Sequence, residues 1–400
     1  MTSYWSLLRH PGVGRLISAQ LVARFPGGML SLGFLIFIEH KTGQYADAGL
    51  VLAATSIGQA VAGPLTSRWM GRWGMRRVLV LTLAICTLSV LTIALVPMPL
   101  WAYISLGLLT GLSTPPIQPA VRTIYPKIVN STQLTPLFSL DASAQEIIWV
   151  LGPVVTTVVA TQVGPVWAIA LAASLMVIGG TWFIASPEVG QVRIPPSRRS
   201  FGSVLKKPTV LIATMTGFLL VGACAAVEAG VVATFGDEGV EAGLVLAIFS
   251  VGSLVGGLSL GHAGITPWSL ARRMLIVSFG MAAATAALGV WWLAGTLLIA
   301  GVGIAPALAV IFAIVSSSVK FSDTAEAYGW IGTGQLIGSA IGSAIAGFLI
   351  DQNGAVGALW TAAVFAFIGF LVPLALRPAL PDLRGRDASP IPDTEPVQTL

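Results

Sequence analysis

Apolar residues run along this chain in long blocks, broken by short stretches where Gly, Pro and charged side chains collect. A helix needs about 20 apolar residues to cross a hydrocarbon layer of roughly 30 Å, and lipid offers the backbone no hydrogen-bond partner outside the helix. Laid along the chain, that length predicts twelve spans: 13–38, 47–67, 77–97, 99–121, 137–162, 165–186, 208–234, 240–261, 270–291, 294–318, 326–350 and 355–376. The blocks are too long, and alternate too little, to be barrel strands.

The pattern also repeats. DAGLVLAATSIGQAVAG (Asp47–Gly63) returns as EAGLVLAIFSVGSLVGG (Glu241–Gly257), 194 residues later, with its polar and glycine positions kept. At an offset of 190, Gln145, Gly152, Gln162, Gly164, Ala172 and Gly179 match Gln335, Gly342, Gln352, Gly354, Ala362 and Gly369. Matching of this kind predicts two related halves.

Composition agrees: 55% of the 400 residues are hydrophobic and 9% charged, too few polar groups to cover a soluble globule. Of the 21 Lys and Arg residues, 19 fall at the N-terminus, in the even-numbered connections or in the tail: Arg9, Arg15, Arg68, Arg72, Arg76, Arg77, Arg122, Lys127, Arg193, Arg198, Arg199, Lys206, Lys207, Arg272, Arg273, Lys320, Arg377, Arg384 and Arg386. That bias predicts cytoplasmic termini. The opposite loops carry Lys41 beside Asp47, Asp237, Glu238, Glu241 and Asp351. Both copies of the repeated helix run towards a basic pair, Arg76-Arg77 and Arg272-Arg273, so they cross in one direction and each half holds six spans. The expected fold is an all-α membrane protein of twelve transmembrane helices in two pseudo-symmetric six-helix bundles. Residues 1–186 form the first bundle, 187–207 a basic cytoplasmic linker, 208–376 the second bundle and 377–400 a tail expected to be disordered. The net charge of +5 follows from this topology and suits an anionic inner leaflet, with no case for nucleic acid.

Enzyme chemistry finds little support. GLSLG (Gly257–Gly261) spells G-x-S-x-G but lies inside a predicted helix, where the strained elbow that exposes the serine cannot form. His10, His40 and His262 have no metal-ligand spacing, and no phosphate-binding loop is present. Cys86 and Cys224 lie in different spans, so no disulfide framework follows. The first apolar run is too long for a signal-peptide core, and Asn130 of NST faces the cytoplasm on this topology. No cofactor or metal is expected.

GPLTSRWMGRWGMRRVL (Gly63–Leu79) resembles the loop between helices 2 and 3 that marks the major facilitator superfamily. It keeps Gly63, Pro64, Arg72, Gly74, Arg76 and Arg77 but has Gly71 where the family usually has an aspartate. Gly152-Pro153 resembles the glycine-proline motif of the family's antiporters, without the glycines that usually follow. The fourth span has Gly107 where the family often has an arginine. GLSTPPIQPAVR and LDASAQE also resemble an actinobacterial group of permeases in the superfamily. The resemblance implies two parallel bundles that rock about a midplane site. It implies secondary active transport of a small organic molecule, and the antiporter-like motif points to proton-coupled efflux. The alternatives are a uniporter or symporter for metabolite uptake, and a non-transporting sensor with a transporter-like body. The expected setting is the plasma membrane, as a monomer, with protons and lipids as partners.

Charges within spans cost roughly 2.5–3.5 kcal/mol each at a helix centre and are functional candidates. Arg24 and Glu146 lie at similar depth in spans 1 and 5, so they are expected to pair, with Glu146 carrying the proton. Asp141, about one turn into span 5, is either a helper in that relay or a solvated residue held by the helix N-terminus. Glu228, towards the outer end of span 7, is either a vestibule acid or an interfacial residue. Glu326, at the start of span 11, is expected to cap that helix. Gln145 and Gln335, equivalent in the two halves, are expected to line the cavity or to bond helices together. Trp149, one turn beyond Gln145, either stacks on substrate or faces lipid. Trp101, Trp291 and Trp292 suit an interfacial belt. Gly334, Gly338 and Gly342, like Gly252, Gly256 and Gly257, suit close helix packing. Pro26, Gly27 and Gly28 are expected to kink or unwind span 1 beside Arg24.

Overall fold

The computed structural model describes residues 7–197, 199–236, 240–261, 263–384 and 388–393. Arg198, Asp237, Glu238, His262 and Arg386, named above, lie outside them, as does part of the tail. The described chain is helical throughout, apart from a single bridge between Lys320 and Ile391.

The first half contains α1 (Val13–Thr42), α2 (Tyr45–Trp73), α3 (Met75–Leu95), α4 (Leu100–Leu112), α5 (Ile117–Ile128), α6 (Ser131–Gln162) and α7 (Pro165–Ala185). A short α8 (Pro187–Gln191) and a 3-10 turn (Ser203–Lys206) lead into the second half. That half contains α9 (Pro208–Phe235), α10 (Val240–Leu260), α11 (Ser269–Ala284), α12 (Val290–Ser318), α13 (Phe321–Asn353) and α14 (Ala355–Ala375). Local chemistry sets the ends. Pro165, Pro187 and Pro208 open α7, α8 and α9, where a missing N–H costs nothing. Gly74 joins α2 to α3 at φ +90°, a conformation that side chains with a Cβ resist.

Ten of the described helices are long and apolar enough to cross a membrane. The two other expected spans are altered. The fourth is broken by Ser113–Pro116 into α4 and α5, because two prolines in succession deny the backbone its donors. The ninth, α11, has 16 residues and ends at Ala284 rather than near 291. By contrast α1 continues unbroken through Pro26, Gly27 and Gly28, so the expected unwinding beside Arg24 is absent.

The repeat extends to packing. At Gly28 a Cβ would overlap Ile148 of α6, and at Gly152 it would lie 2.7 Å from Gly28. The equivalents are Gly222 and Gly342, where α9 crosses α13 equally closely. Gly58 against Leu108 and Gly111, where α2 meets α4, is matched by Gly252 against Leu298 and Gly301, where α10 meets α12. These are the same 194 and 190 offsets, now expressed as helix crossings.

Part of the tail is held. Leu380 and Ala388 are buried, Phe321 N–H donates to the Ile391 carbonyl at 3.0 Å, and Ser322 N–H donates to Asp393 at 3.2 Å. Ile391 and Asp393 thus bond to the start of α13, and Leu380 and Ala388 are covered instead of running free.

Candidate functional site

The halves meet along a seam that starts at the end of the molecule carrying the linker. There Arg68 of α2 donates to Glu326 of α13 at 2.9 Å. One turn deeper Gly63 packs on Gly329, and Thr333 Oγ1 donates to the Ala60 carbonyl at 2.7 Å. Between α6 and α10, Ser139 Oγ donates to the Gly257 carbonyl at 2.6 Å, and higher still Ser253 Oγ donates to Glu146 Oε1 at 2.8 Å. The bonds joining the halves reach up to this carboxylate, which also interacts with Ser250, one turn from Ser253 on α10. The bundle is thus closed at its basic end, with Glu146 at the top of the closure.

Glu146 does not pair with Arg24. Arg24 donates from Nη1 to Gln20 at 2.8 Å and from Nη2 to Gln145 at 2.7 Å, and lies 3.5 Å from Asp141. The expected pairing used depth alone. On α6, Gln145 and Glu146 are neighbours about 100° apart, so one faces α1 and the other faces α10.

Asp141 is the centre of this cluster. Gln20 Nε2 donates to Oδ1 at 2.9 Å, Arg122 Nε to Oδ2 at 2.9 Å, and Tyr125 Oη to Oδ1 at 3.2 Å. It is fully buried, not a solvated residue near a helix start, because α6 begins at Ser131, six residues before the expected 137. Arg122, expected in a loop, is 2% exposed and lies 3.4 Å over the ring of Phe312 in α12. Tyr125, Phe138, Phe312 and Tyr328 surround it edge to face or tilted, with centroids 6.0 to 6.4 Å apart. Gln118 completes the shell once its amide oxygen is turned towards the guanidinium. Sequence reasoning missed Gln20, Arg122 and Tyr125. The signal was present: Gln118, Arg122 and Tyr125 follow i, i+4, i+7 spacing on one face of α5, and Gln20 precedes Arg24 by one turn.

Helical phase places the remaining candidates. On α6 the accessible Ile147, Leu151, Val154 and Val158 form the lipid stripe. Trp149, 54% exposed, is on the opposite side, between the face that meets α1 and the face that meets α10. Pro153 shares that side, while Gly152 is buried in the α1 crossing. On α13 the stripe is Ile337, Ile341, Ile345 and Phe348. Gln335 lies away from it, close to Gly217 of α9. Glu228 on α9 is accessible and within electrostatic range of Glu146, an acid of the opposite half.

The signature loop is bonded mainly within its own half. Arg76 Nε donates to the Ile184 carbonyl at 3.1 Å, Gly74 makes the turn, and Arg72 and Arg77 are exposed. At Gly71 a Cβ would lie 3.1 Å from the Pro195 carbonyl, so the linker occupies the space of the missing aspartate. The linker then grips α13: Ser197 Oγ donates to Asp323 at 2.6 Å, Gly202 N–H to Glu326 at 2.7 Å, and Arg199 lies 3.7 Å from Asp323. Glu326 is therefore a buried acceptor for two segments instead of a cap. Beside it, partial burial and then nearby Arg199 lower the pKa of Lys207, whose amine donates to the Ser318 carbonyl at 2.6 Å.

Two duplicated halves of long apolar helices, with charged residues buried among them and the contacts above joining them, define a multi-pass membrane transporter of small molecules. The chain belongs to the major facilitator superfamily, whose family model matches residues 16–261 and 225–399. The fold is similar to the crystal structure of the human organic anion transporter MFSD10 (TETRAN), with TM-score 0.71 and 15% identity, covering 90% of this chain and 98% of that one. It is also similar to a bacterial homologue of the iron transporter ferroportin in an outward-facing state, with TM-score 0.72 and 12% identity, covering 91% and 98%. No curated protein sequence matches.

Proposed function

We propose that this protein is a proton-coupled secondary transporter that exports a small organic molecule by alternating access, from the plasma membrane, with both termini in the cytoplasm. On that orientation the structure is the outward-facing state, since its closed end carries the Lys- and Arg-rich segments. The observation that carries the reading is the Ser253–Glu146 bond. It ties a carboxylate to the seam that must part when the halves rock, and Glu228 of the other half lies within electrostatic range of it. Protonating an acid in that position alters the contact holding the seam, which links proton movement to opening. Asp141, whose lone pairs are occupied by Arg122, Gln20 and Tyr125, suits a fixed counter-ion better than a carrier. Gln145, Trp149 and Gln335 line the substrate path, and the Gly152-Pro153 step supports exchange by its resemblance to the antiporter motif.

The test is substrate-driven proton movement in proteoliposomes, recorded with an internal pH dye against a panel of amphipathic organic compounds. One compound should dissipate the gradient with wild type. With Glu146→Gln it should still bind while moving no protons, and its flux should lose its pH dependence. Equal, pH-dependent proton flux in wild type and Glu146→Gln would remove Glu146 from the relay. Substrate flux without proton movement in wild type would assign uniport.

A further inference from the structure

The buried cluster of the first half does not balance its charge. Arg24 and Arg122 share one acid, Asp141. The cluster's other members, Gln20, Gln145, Gln118 and Tyr125, are neutral. The nearest additional acid on the same helix, Glu146, is turned away and bonded to Ser253. One positive charge therefore stands uncompensated within the membrane, where an isolated charge is costly and marks function.

The two arginines are not equivalent. Arg122 has the shorter contact to Asp141, 2.9 Å against 3.5 Å, and is sealed at 2% exposure under Phe312. Arg24 is satisfied mainly by two neutral amide oxygens and retains 11% exposure. It is the charged member of the cluster that an incoming molecule can reach. Because Gln145 turns its oxygen to Arg24, its NH2 group points elsewhere as a second donor with no partner among the described residues. One turn further along the same side of α6 stands the accessible Trp149 ring. A guanidinium, an amide donor and an indole face in sequence match a carboxylate attached to a flat apolar body.

We propose that Arg24 is the anion-binding pole of the central site and that the substrate is an organic monoanion. Its carboxylate-like group is held by Arg24 and Gln145, and its ring lies on Trp149. Calling this ligand a substrate rests on the transporter reading above. The anion site itself does not. Charge economy supports the assignment: removing Arg24 leaves Arg122 and Asp141 as a neutral, well-bonded pair, so the fold has no need of this charge.

The experiment compares purified wild type, Arg24→Gln and Arg24→Lys, with equilibrium binding and thermal unfolding as readouts. The probes are 2-naphthoate, the neutral 2-naphthamide, the cationic 2-naphthylmethylammonium, and chloride. Wild type should bind naphthoate about tenfold or more tighter than the amide or the amine, with chloride much weaker. Arg24→Gln should bind naphthoate no better than the amide while unfolding at or above the wild-type temperature. Arg24→Lys should keep part of the preference. Equal binding of the three naphthyl probes by wild type overturns the proposal, as does a naphthoate preference that survives in Arg24→Gln. Chloride as tight as naphthoate makes this a halide site and also overturns it. Failure of Arg24→Gln to fold does the same, by making the charge a structural necessity. Proteoliposome flux separates the two readings. Arg24-dependent naphthoate binding without flux leaves the anion site standing and ends the reading of its ligand as the transported substrate. Flux of the amide or the amine, unaffected by Arg24→Gln, does the reverse.

Discussion

Two arginines share one carboxylate at Asp141, and the unequal sharing determines what each is free to do. Asp141 accepts three hydrogen bonds and is wholly buried, so Asp141→Asn leaves two guanidinium groups facing each other without an anion. Removing one partner of a buried pair costs about 3–5 kcal/mol. Asp141→Asn is therefore expected to lower the unfolding temperature of the detergent-purified protein sharply, while Arg24→Gln does not. A matching loss in both would mean that Arg24 and Arg122 are equally structural. At this scale the sequence was legible for residue type and not for partner. Arg24, Asp141, Gln145 and Glu146 stand out because polar groups in an apolar run need a reason. Their pairing depends on a helix start six residues earlier than hydropathy suggests, and on a rotation of 100° that depth does not record. Arg122 was hidden for a related reason. An arginine beyond an apolar run looks like a loop residue until Pro115-Pro116 is seen to start a second helix that carries it inside.

Among the elements, the glycine crossings explain why sequence identity between the halves concentrates where it does. Each close approach leaves no volume for a methyl group, so drift at Gly152 or Gly342 is opposed by overlap with backbone. Gly152→Val and Gly342→Val are each expected to destabilise by about 1–3 kcal/mol, through overpacking that neither helix can relieve by a rotamer change. Thermal unfolding of the two variants, with Gly27→Val as a control at an open position, checks this. The linker makes the opposite case. Its basic, proline-containing sequence marks only a cytoplasmic linker, yet it packs against Gly71 and bonds to Asp323 and Glu326. Nothing in the local composition announces that, because the partners lie more than a hundred residues away. Restoring the family's aspartate with Gly71→Asp should crowd the Pro195 carbonyl and free the strap. Faster tryptic cleavage at Arg199 in the folded protein is the expected sign, and an unchanged rate would show that the strap tolerates the acid.

For the whole molecule, hydropathy, charge bias and the internal repeat were sufficient to give two six-helix halves, since all three are set by the membrane and by duplication, independently of tertiary detail. The conformational state was not legible, because rocking changes which ends touch without changing any span. Closure at the basic end is open to direct trial. With cysteines introduced as Ala60→Cys and Thr333→Cys, a short bifunctional thiol reagent should join α2 to α13 and stop substrate flux. A reducible reagent should restore flux on cleavage, and full activity while joined would place the moving seam elsewhere.

The first two turns of α13 receive three separate segments: the tail at Phe321 and Ser322, the linker at Asp323, and the linker again with α2 at Glu326. Where the attachments of Arg68 and the linker strap to Asp323 and Glu326 part as this end opens, they enter the ratio of the two resting populations and not the affinity of either. If together they contribute about 3 kcal/mol, shut molecules outnumber open ones roughly 150 to 1 before any ligand arrives. A molecule approaching from the strapped side then sees its intrinsic affinity divided by that factor, whereas one arriving from the far side does not. Cutting the strap would thus make the carrier more sensitive from one side of the membrane alone, with the site itself untouched.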